Sequence, residues 1–423
     1  MRFVTRLKGG LAWAVVAAAC PLWTASAQSP SQSSSQPGPA TPGAGSPGPS
    51  SFSVQTLLTE TVEYDTNPLM QPTGAKALYG SVTSPQVVLT SDTPSEHAAL
   101  TLLMNANEFN LANYGSEDGH ATLNLAASSA HWSGTLGGTF DYDTTRTSEQ
   151  TSSGVEVAGV RHAAGAVMPS LTYNATQVDQ MTLAGSFSET RYANTQIYTN
   201  YLQGVLTPTY TRVLDQTNLI SLSGVARHFE TRTGPEVQFN DFGGNAGWKS
   251  LLSETWSLNG DIGAIRRISD YSAVPPFQPR TGAAVWELTF DANAAYKGLQ
   301  DTFSLGASRA PTPLSVRSEA DLTRVTLSEA HQLTQTLELD LAGSYQFSSY
   351  SGTQKSGAYI QKNYVTANPQ VQYHLTDTVS FSLSYNYRRQ QSETLGSITQ
   401  VYNPATGNSV MFVVSFAPYR KDW

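Results

Sequence analysis

Apolar and polar residues alternate along most of this chain with a period of two, and short polar turns interrupt the alternation at regular intervals. The runs MTLAGSF, LISLSGVA, WSLNGDIGAI, FSLGAS, LELDLAGSYQF and FSLSYNY are the clearest cases. Each follows a tight turn: 175–180, 215–218, 253–255, 299–302, 334–336 or 376–378. Successive side chains of a strand point to opposite faces, so the pattern predicts strands with one apolar and one polar face.

Alternation and turns together predict eighteen strands: 51–65, 80–90, 97–109, 121–132, 134–146, 164–175, 180–192, 201–214, 217–229, 239–252, 254–268, 280–297, 301–309, 319–333, 336–348, 363–375, 378–389 and 408–420. Sixteen is the alternative, because 80–90, 301–309 and 319–333 are poorly patterned. Their lengths suit the ~9–11 residues that cross a bilayer at a tilt. An even number returns both ends to one side, the periplasm. The short turns belong there, and the longer connections 147–163, 193–200, 269–279, 349–362 and 390–407 face outward. The expected fold is all-β: a transmembrane up-and-down antiparallel β-barrel. Closure removes the sheet edges, whose unpaired backbone groups would each cost several kcal/mol in hydrocarbon.

Parity assigns the faces. In 336–348, Leu337, Leu339, Leu341, Tyr345 and Phe347 share one face, while Glu338, Asp340, Ser344 and Gln346 share the other. Strand 378–389 sends Phe381, Leu383, Tyr385 and Tyr387 out and Ser382, Ser384, Asn386 and Arg388 in. Outward parity also takes Tyr64, Phe140, Tyr142, Phe187, Trp248, Trp256 and Trp286, as interfacial girdles would. Few aromatics are expected inside, so no sugar-stacking ladder is proposed. A proline recurs as Pro85, Pro169, Pro208 and Pro369 in Pro-x-apolar-x-apolar runs, and a β-bulge is the expected consequence.

Composition fixes the solvent. Charged residues make up 13% of the chain, against ~25% in ordinary soluble proteins. Lipid excludes charge from one face and a wet lumen asks only for polar groups on the other. The net charge of −8 argues against nucleic acid as a partner. Arg2, Arg6 and Lys8, the apolar run 11–23 and Ala25-Ser26-Ala27 read as a secretory signal peptide over 1–27. Cys20 as a lipoprotein cysteine is the alternative. Residues 28–50, rich in Ser, Pro and Gly, read as a flexible linker, and 51–423 as the barrel.

The opening strand Glu60-Thr61-Val62-Glu63-Tyr64-Asp65-Thr66-Asn67-Pro68, the following Pro-x-apolar strand and the cassette DQTNLISLSG resemble a family of outer-membrane β-barrel porins associated with exopolysaccharide or capsule export. The resemblance covers 52–423 and is architectural. It implies a Gram-negative outer-membrane barrel with a link to polysaccharide export, and it carries over no catalytic residue. Trp423 is a terminal aromatic like the assembly signal of such barrels, although Arg420-Lys421-Asp422 breaks the alternation before it.

The residues expected to line the pore are Glu63, Asp65, Asp141, Asp143, Arg227, Lys249, Asp261, Arg267, Glu287, Asp291, Arg324, Glu338, Asp340 and Arg388. They would set the field felt by ions or acidic sugars; the plainer reading makes them solvated lumen residues in scattered pairs. No cluster among them is one-signed. Glu63-x-Asp65 and Asp141-x-Asp143 could hold Ca²⁺, but both lack the glycine-containing loop of a calcium motif. The seven histidines are spread singly, without metal-ligand spacing, and no Gly-x-Ser-x-Gly elbow is present. Neither an enzyme nor a cofactor is expected. The expected function is a polar pore or conduit accessory to exopolysaccharide secretion. The alternatives are a general solute porin and a closed barrel that binds matrix polymer through its outer loops. Expected partners are outer-membrane lipid and lipopolysaccharide, the barrel-assembly machinery, and exopolysaccharide or its export components.

Overall fold

A computed structural model describes residues 51–111, 114–145, 160–193, 198–233, 237–271, 280–281, 284–314, 318–350, 359–395 and 401–422. The proposed signal peptide, the linker and Trp423 lie outside the described residues. The first strands are β1 (Ser51–Asp65), β2 (Leu78–Asp92), β3 (Glu96–Phe109), β4 (Ser116–Ser128), β5 (Trp132–Thr144) and β6 (Arg161–Asn174). Next come β7 (Asp179–Tyr192), β8 (Tyr201–Val213), β9 (Asn218–Thr231), β10 (Val237–Leu251), β11 (Trp256–Tyr271), β12 (Arg280–Thr281) and β13 (Val285–Lys297). The last are β14 (Asp301–Leu314), β15 (Ser318–Gln332), β16 (Leu337–Tyr350), β17 (Tyr359–His374), β18 (Val379–Leu395) and β19 (Val401–Asp422). Each strand pairs antiparallel with its sequence neighbour, and β19 pairs with β1 to close the sheet. The two-residue β12 only caps the far end of β11, which pairs along its length with β13. The wall therefore has eighteen strands, the number the alternation predicts.

Most of the short turns share one chemistry. A Thr, Ser or Asp opens them, and its side-chain oxygen accepts the backbone N–H groups two and three residues on, as Asp215 does for Thr217 and Asn218. Thr376 Oγ1 takes Thr378 and Val379 N–H at 3.3 and 3.0 Å, and Thr334 takes Thr336 and Leu337 at 3.2 and 3.0 Å. Ser253 does the same for Thr255 and Trp256, and Thr176 for Val178 and Asp179. Such local bonds replace the ladder where the chain reverses, which is why the sequence repeats a hydroxyl or carboxyl at that position.

Outward parity produces a belt of exposed Leu, Val, Ile and aromatic side chains around the whole wall. A patch of that size is unstable in water and is what lipid requires. Aromatic pairs mark its lower rim near the short turns: Trp132–Tyr173 at 4.6 Å and Trp256–Tyr296 at 5.1 Å between ring centroids. Tyr64, Tyr79, Tyr142 and Trp286, all exposed, mark the upper rim. Of the outward aromatics named from sequence parity, Tyr64, Phe140, Tyr142, Phe187, Trp248, Trp256, Trp286, Tyr345 and Tyr385 are exposed, and Phe347, Phe381 and Tyr387 are half-buried.

Several expectations need correction. The recurrent prolines produce no bulges: Thr83 pairs with Ala106 and Gln86 with Leu103, an unshifted register across Pro85, and β6, β8 and β17 behave alike. At each proline two residue pairs drop out of the ladder, and the ring points outward. Pro208 packs against Gly224 and Pro169 against Gly185, so glycine makes room for the ring. The register shift lies instead at the closing seam, between Thr56 and Leu58 opposite β19. It absorbs Ala417-Pro418 and lets β19 continue through Arg420-Lys421-Asp422. The predicted strand 280–297 is split, and β14 and β15 run to Leu314 and from Ser318, across prolines that obscured them.

Candidate functional site

The chemistry lies on the inner face. Near the long-loop end, Arg227 of β9, Asp241 of β10 and Arg267 of β11 are direct cross-strand partners. Asp241 accepts from both arginines, and Arg267 Nη1 donates to Glu287 of β13 at 2.8 Å. The four form an alternating ladder, each no more than 8% exposed. Their cover is the far end of the β14–β15 hairpin. Arg227 Nη1 donates to the Pro311 carbonyl at 2.7 Å, and Arg267 Nη1 lies 3.9 Å from Asp321. Along the wall β9 and β14 are four spacings apart, ~19 Å. The hairpin end must therefore lean into the lumen. Arg309 Nη2, 3.4 Å from Asp321, adds a third cation, so the cluster counts three arginines against three carboxylates.

A second inward segment closes the seam. Asp65 of β1 pairs with Arg388 of β18, reaching over the intervening β19. Gly407 of β19 makes that possible, since a Cβ there would stand 3.0 Å from Arg388 Nη2, Asn67 O and Met70 Sδ. Asn67 bridges the loop to the wall through Thr406 O at 3.0 Å and holds Gln71 N–H at 2.9 Å. Met70, at φ 47°, then packs on Tyr364 and Ala405, three strand spacings inward from β1.

A third patch lies on β4–β7. His120 Nδ1 meets Asp141 at 2.8 Å, His162 Nδ1 meets Asp143 at 2.6 Å, and Arg161 meets Asp118 at 2.9 Å. His162 stacks on Tyr192 at 5.6 Å, and Tyr192 on Tyr198 at 4.9 Å. A neighbouring cluster joins Phe229, Phe239 and Tyr201. Inward aromatics are thus more numerous than parity counting suggested. Tyr198, Phe229 and Phe239 are fully buried, so they cement the inner wall rather than present a face to solutes.

The lumen nearer the short turns has a different character. Asp261 and Asp291 are direct partners on β11 and β13, and Glu338 and Asp340 stand on the same face of β16. Among the described residues none of these four has a basic partner. The wall around them is hydroxyl and amide: Ser304 donates to Asn293 at 2.9 Å, and Ser344 and Thr366 share a bond at 2.7 Å. Arg324 is held by Gln346 at 2.9 Å, and Lys249 is exposed near the short-turn rim.

Of the fourteen residues predicted to line the pore, Asp65, Asp143, Arg227, Arg267, Glu287 and Arg388 are on the inner side but buried in pairs. Glu63, Asp141, Asp261, Asp291, Arg324, Glu338 and Asp340 are partly exposed there. The two carboxylate doublets do not converge on a common point: Asp65 goes to Arg388, Asp141 to His120 and Asp143 to His162. The pairs are not scattered, and Asp261, Asp291, Glu338 and Asp340 form a one-signed stretch. Parity missed Asp241, Asp321 and Asp118, which become visible only when neighbouring strands are set in register. Five histidines, apparently isolated in sequence, each meet a carboxylate: His97 with Asp92, His120 with Asp141, His162 with Asp143, His228 with Glu230 and His331 with Asp301.

No family model matches the sequence, and no curated protein matches it. Solved structures of similar shape include Pseudomonas aeruginosa OpdL, 10% identical, with TM-score 0.44 over 88% of this chain and 99% of that one. Acinetobacter baumannii OccAB4 is 9% identical, with TM-score 0.45 over 88% and 98%. The unliganded ferric citrate transporter FecA is 9% identical, with TM-score 0.46 over 86% and 78%.

Proposed function

We propose that this chain is an outer-membrane channel for small hydrophilic solutes that passes cations more readily than anions, and that it is a conduit and not an enzyme. Barrels of this strand number leave a water-filled lumen, and the apolar belt requires a bilayer around it. The observation that carries the selectivity is the charge balance. The upper arginines are neutralised in buried pairs, whereas Asp261, Asp291, Glu338 and Asp340 leave a negative field in the open part of the lumen. The inward lean of the β14–β15 end and of the Asn67–Met70 segment narrows the long-loop mouth, which suits small solutes better than a moving polymer. The resemblance of the opening strand to export-associated barrels supports a second reading, an exit path for exopolysaccharide. In that reading both inward segments swing aside.

Planar-bilayer recording of the purified protein tests the channel. Discrete conductance steps are expected, with a reversal potential in a salt gradient of the sign given by cation preference. Neutralising all four acids (Asp261→Asn, Asp291→Asn, Glu338→Gln, Asp340→Asn) should bring the cation-to-anion permeability ratio close to one. Absence of steps, even with residues 312–319 shortened to a tight turn, would overturn the proposal. Block by added polysaccharide, together with loss of extracellular polymer on gene deletion, would favour the second reading over solute uptake.

A further inference from the structure

We infer that the outer face formed by β18, β19, β1, β2 and β3 is a two-fold contact with a second copy of this chain, closed by reciprocal pairing of Arg389 with Glu108. This holds whatever the lumen conducts. Both side chains are exposed, both have outward parity, and neither has an ion-pair partner among the described residues. Two other outward carboxylates at the rim are satisfied within the chain: Glu189 takes Arg191 at 2.8 Å and Glu230 takes Arg232 at 2.9 Å.

Register puts Arg389 and Glu108 at one height. From Glu108 the perpendicular runs through Ser81, Val62 and Phe412 to Leu383 on β18. Each step in this direction also descends. Phe416, beside the last short turn, leads through Leu58 to Pro85, which stands well above the β2–β3 turn that follows Asp92. At a strand tilt of ~40° the descent is ~1.2 residues per strand, or ~5 residues over four steps. Five residues above Leu383 is Arg388, which turns inward, and the next is Arg389, which turns outward. The two charges thus stand at one level, ~25 Å apart along the tilted wall, with β1 midway between them.

A two-fold axis along the membrane normal, passing beside β1, brings the right edge of one copy against the left edge of the other. Arg389 then meets Glu108 of the second copy, and Glu108 meets its Arg389. An isologous contact needs this self-complementarity. Between the charges the face is mostly apolar, with a depression of about 500 Å³ lined by Val62, Tyr79, Ser81, Val410, Phe412 and Glu108 itself. Near the axis sits Glu60, a carboxylate pointing outward below the Tyr64 rim, with the Thr83 hydroxyl donating to it at 2.6 Å. Lipid tails offer such a group nothing, whereas a second copy brings a second carboxyl–hydroxyl pair.

Site-directed cross-linking of the full chain in outer membranes tests this, with the unsubstituted protein, whose sole cysteine is Cys20, as the blank. Val62→Cys, beside the axis, should give a covalent dimer with a short bis-maleimide. Ile262→Cys, equally outward but on the opposite wall, should give none. Arg389→Glu or Glu108→Arg alone breaks both reciprocal pairs and should lower the Val62→Cys dimer at least about tenfold, and the double exchange should restore it. Heat-modifiable migration on gels confirms that each variant forms a barrel; for any that does not, the comparison of Val62→Cys with Ile262→Cys decides alone. Equal yields at the two positions, adducts only to lipid or to another protein at Val62→Cys, or no rescue by the exchange would overturn the inference.

Discussion

Asp215 shows how much one side chain can impose on a turn. Its Oδ1 accepts the Thr217 N–H at 2.7 Å, the Thr217 hydroxyl at 2.8 Å and the Asn218 N–H at 2.9 Å. These bonds, led by the Thr217 backbone N–H, hold its carboxyl down at about 2. A depressed carboxylate supports the fold above the unfolded-chain value of ~3.9, and that support is lost as pH falls toward 2. Carboxyl ¹³C NMR should place its midpoint near 2; a midpoint near 4 would show the turn to be open. Asp241 is the opposite case, buried between two arginines. Asp241→Asn leaves three guanidinium groups against the two remaining carboxylates, Glu287 and Asp321, so unfolding from vesicles in denaturant should show a loss of ~3–5 kcal/mol. A loss under 1 kcal/mol would mean that the ladder is solvated. The inward direction of Arg227 and Arg267 was legible from parity alone. Their pairing was not, because it depends on the register of three strands and on a hairpin end that leaves the wall.

The strand–turn–strand cassette was legible because two constraints coincide in it. A bilayer enforces alternation, and a tight reversal needs a side-chain acceptor, so hydrophobicity and turn chemistry both marked the same positions. Elements were obscured where one constraint lapsed. Pro311 and Pro313 hid the outer end of β14, where the Pro311 carbonyl meets Arg227 on the lumen side. The proline–glycine contacts were hidden for a different reason: proline was legible, but its glycine lies on the next strand. Gly224→Val places a Cβ 3.3 Å from the Pro208 ring and adds two methyls beyond it. Overpacking of this kind costs ~1–3 kcal/mol, measurable by the same denaturant unfolding, and the loss should shrink in the Pro208→Ala background. An equal loss in both backgrounds would show that the ring and the glycine are not coupled. At the seam, Gly407→Val should push Arg388 from Asp65 and release the Asn67–Met70 segment, raising conductance without changing ion preference; unchanged conductance would show that this segment does not narrow the mouth.

For the whole molecule, low charge content and parity were enough to infer a closed wall with lipid outside and water inside. They gave no cargo, since regularity imposed by a bilayer is indifferent to what passes through it. The split between faces has an energetic consequence: Ile262→Lys in the outer belt should cost ~2–4 kcal/mol in the bilayer, whereas Asp291→Lys on the lumen side should chiefly shift ion preference. The most direct test is the reactivity of four successive positions of β16 in vesicles. Single cysteines at Glu338, Leu339, Asp340 and Leu341 are exposed in turn to a membrane-impermeant maleimide. Positions 338 and 340 should react and 339 and 341 should stay protected by lipid. Uniform labelling, or protection of 338 and 340, would contradict a water-filled barrel with its apolar face in the membrane.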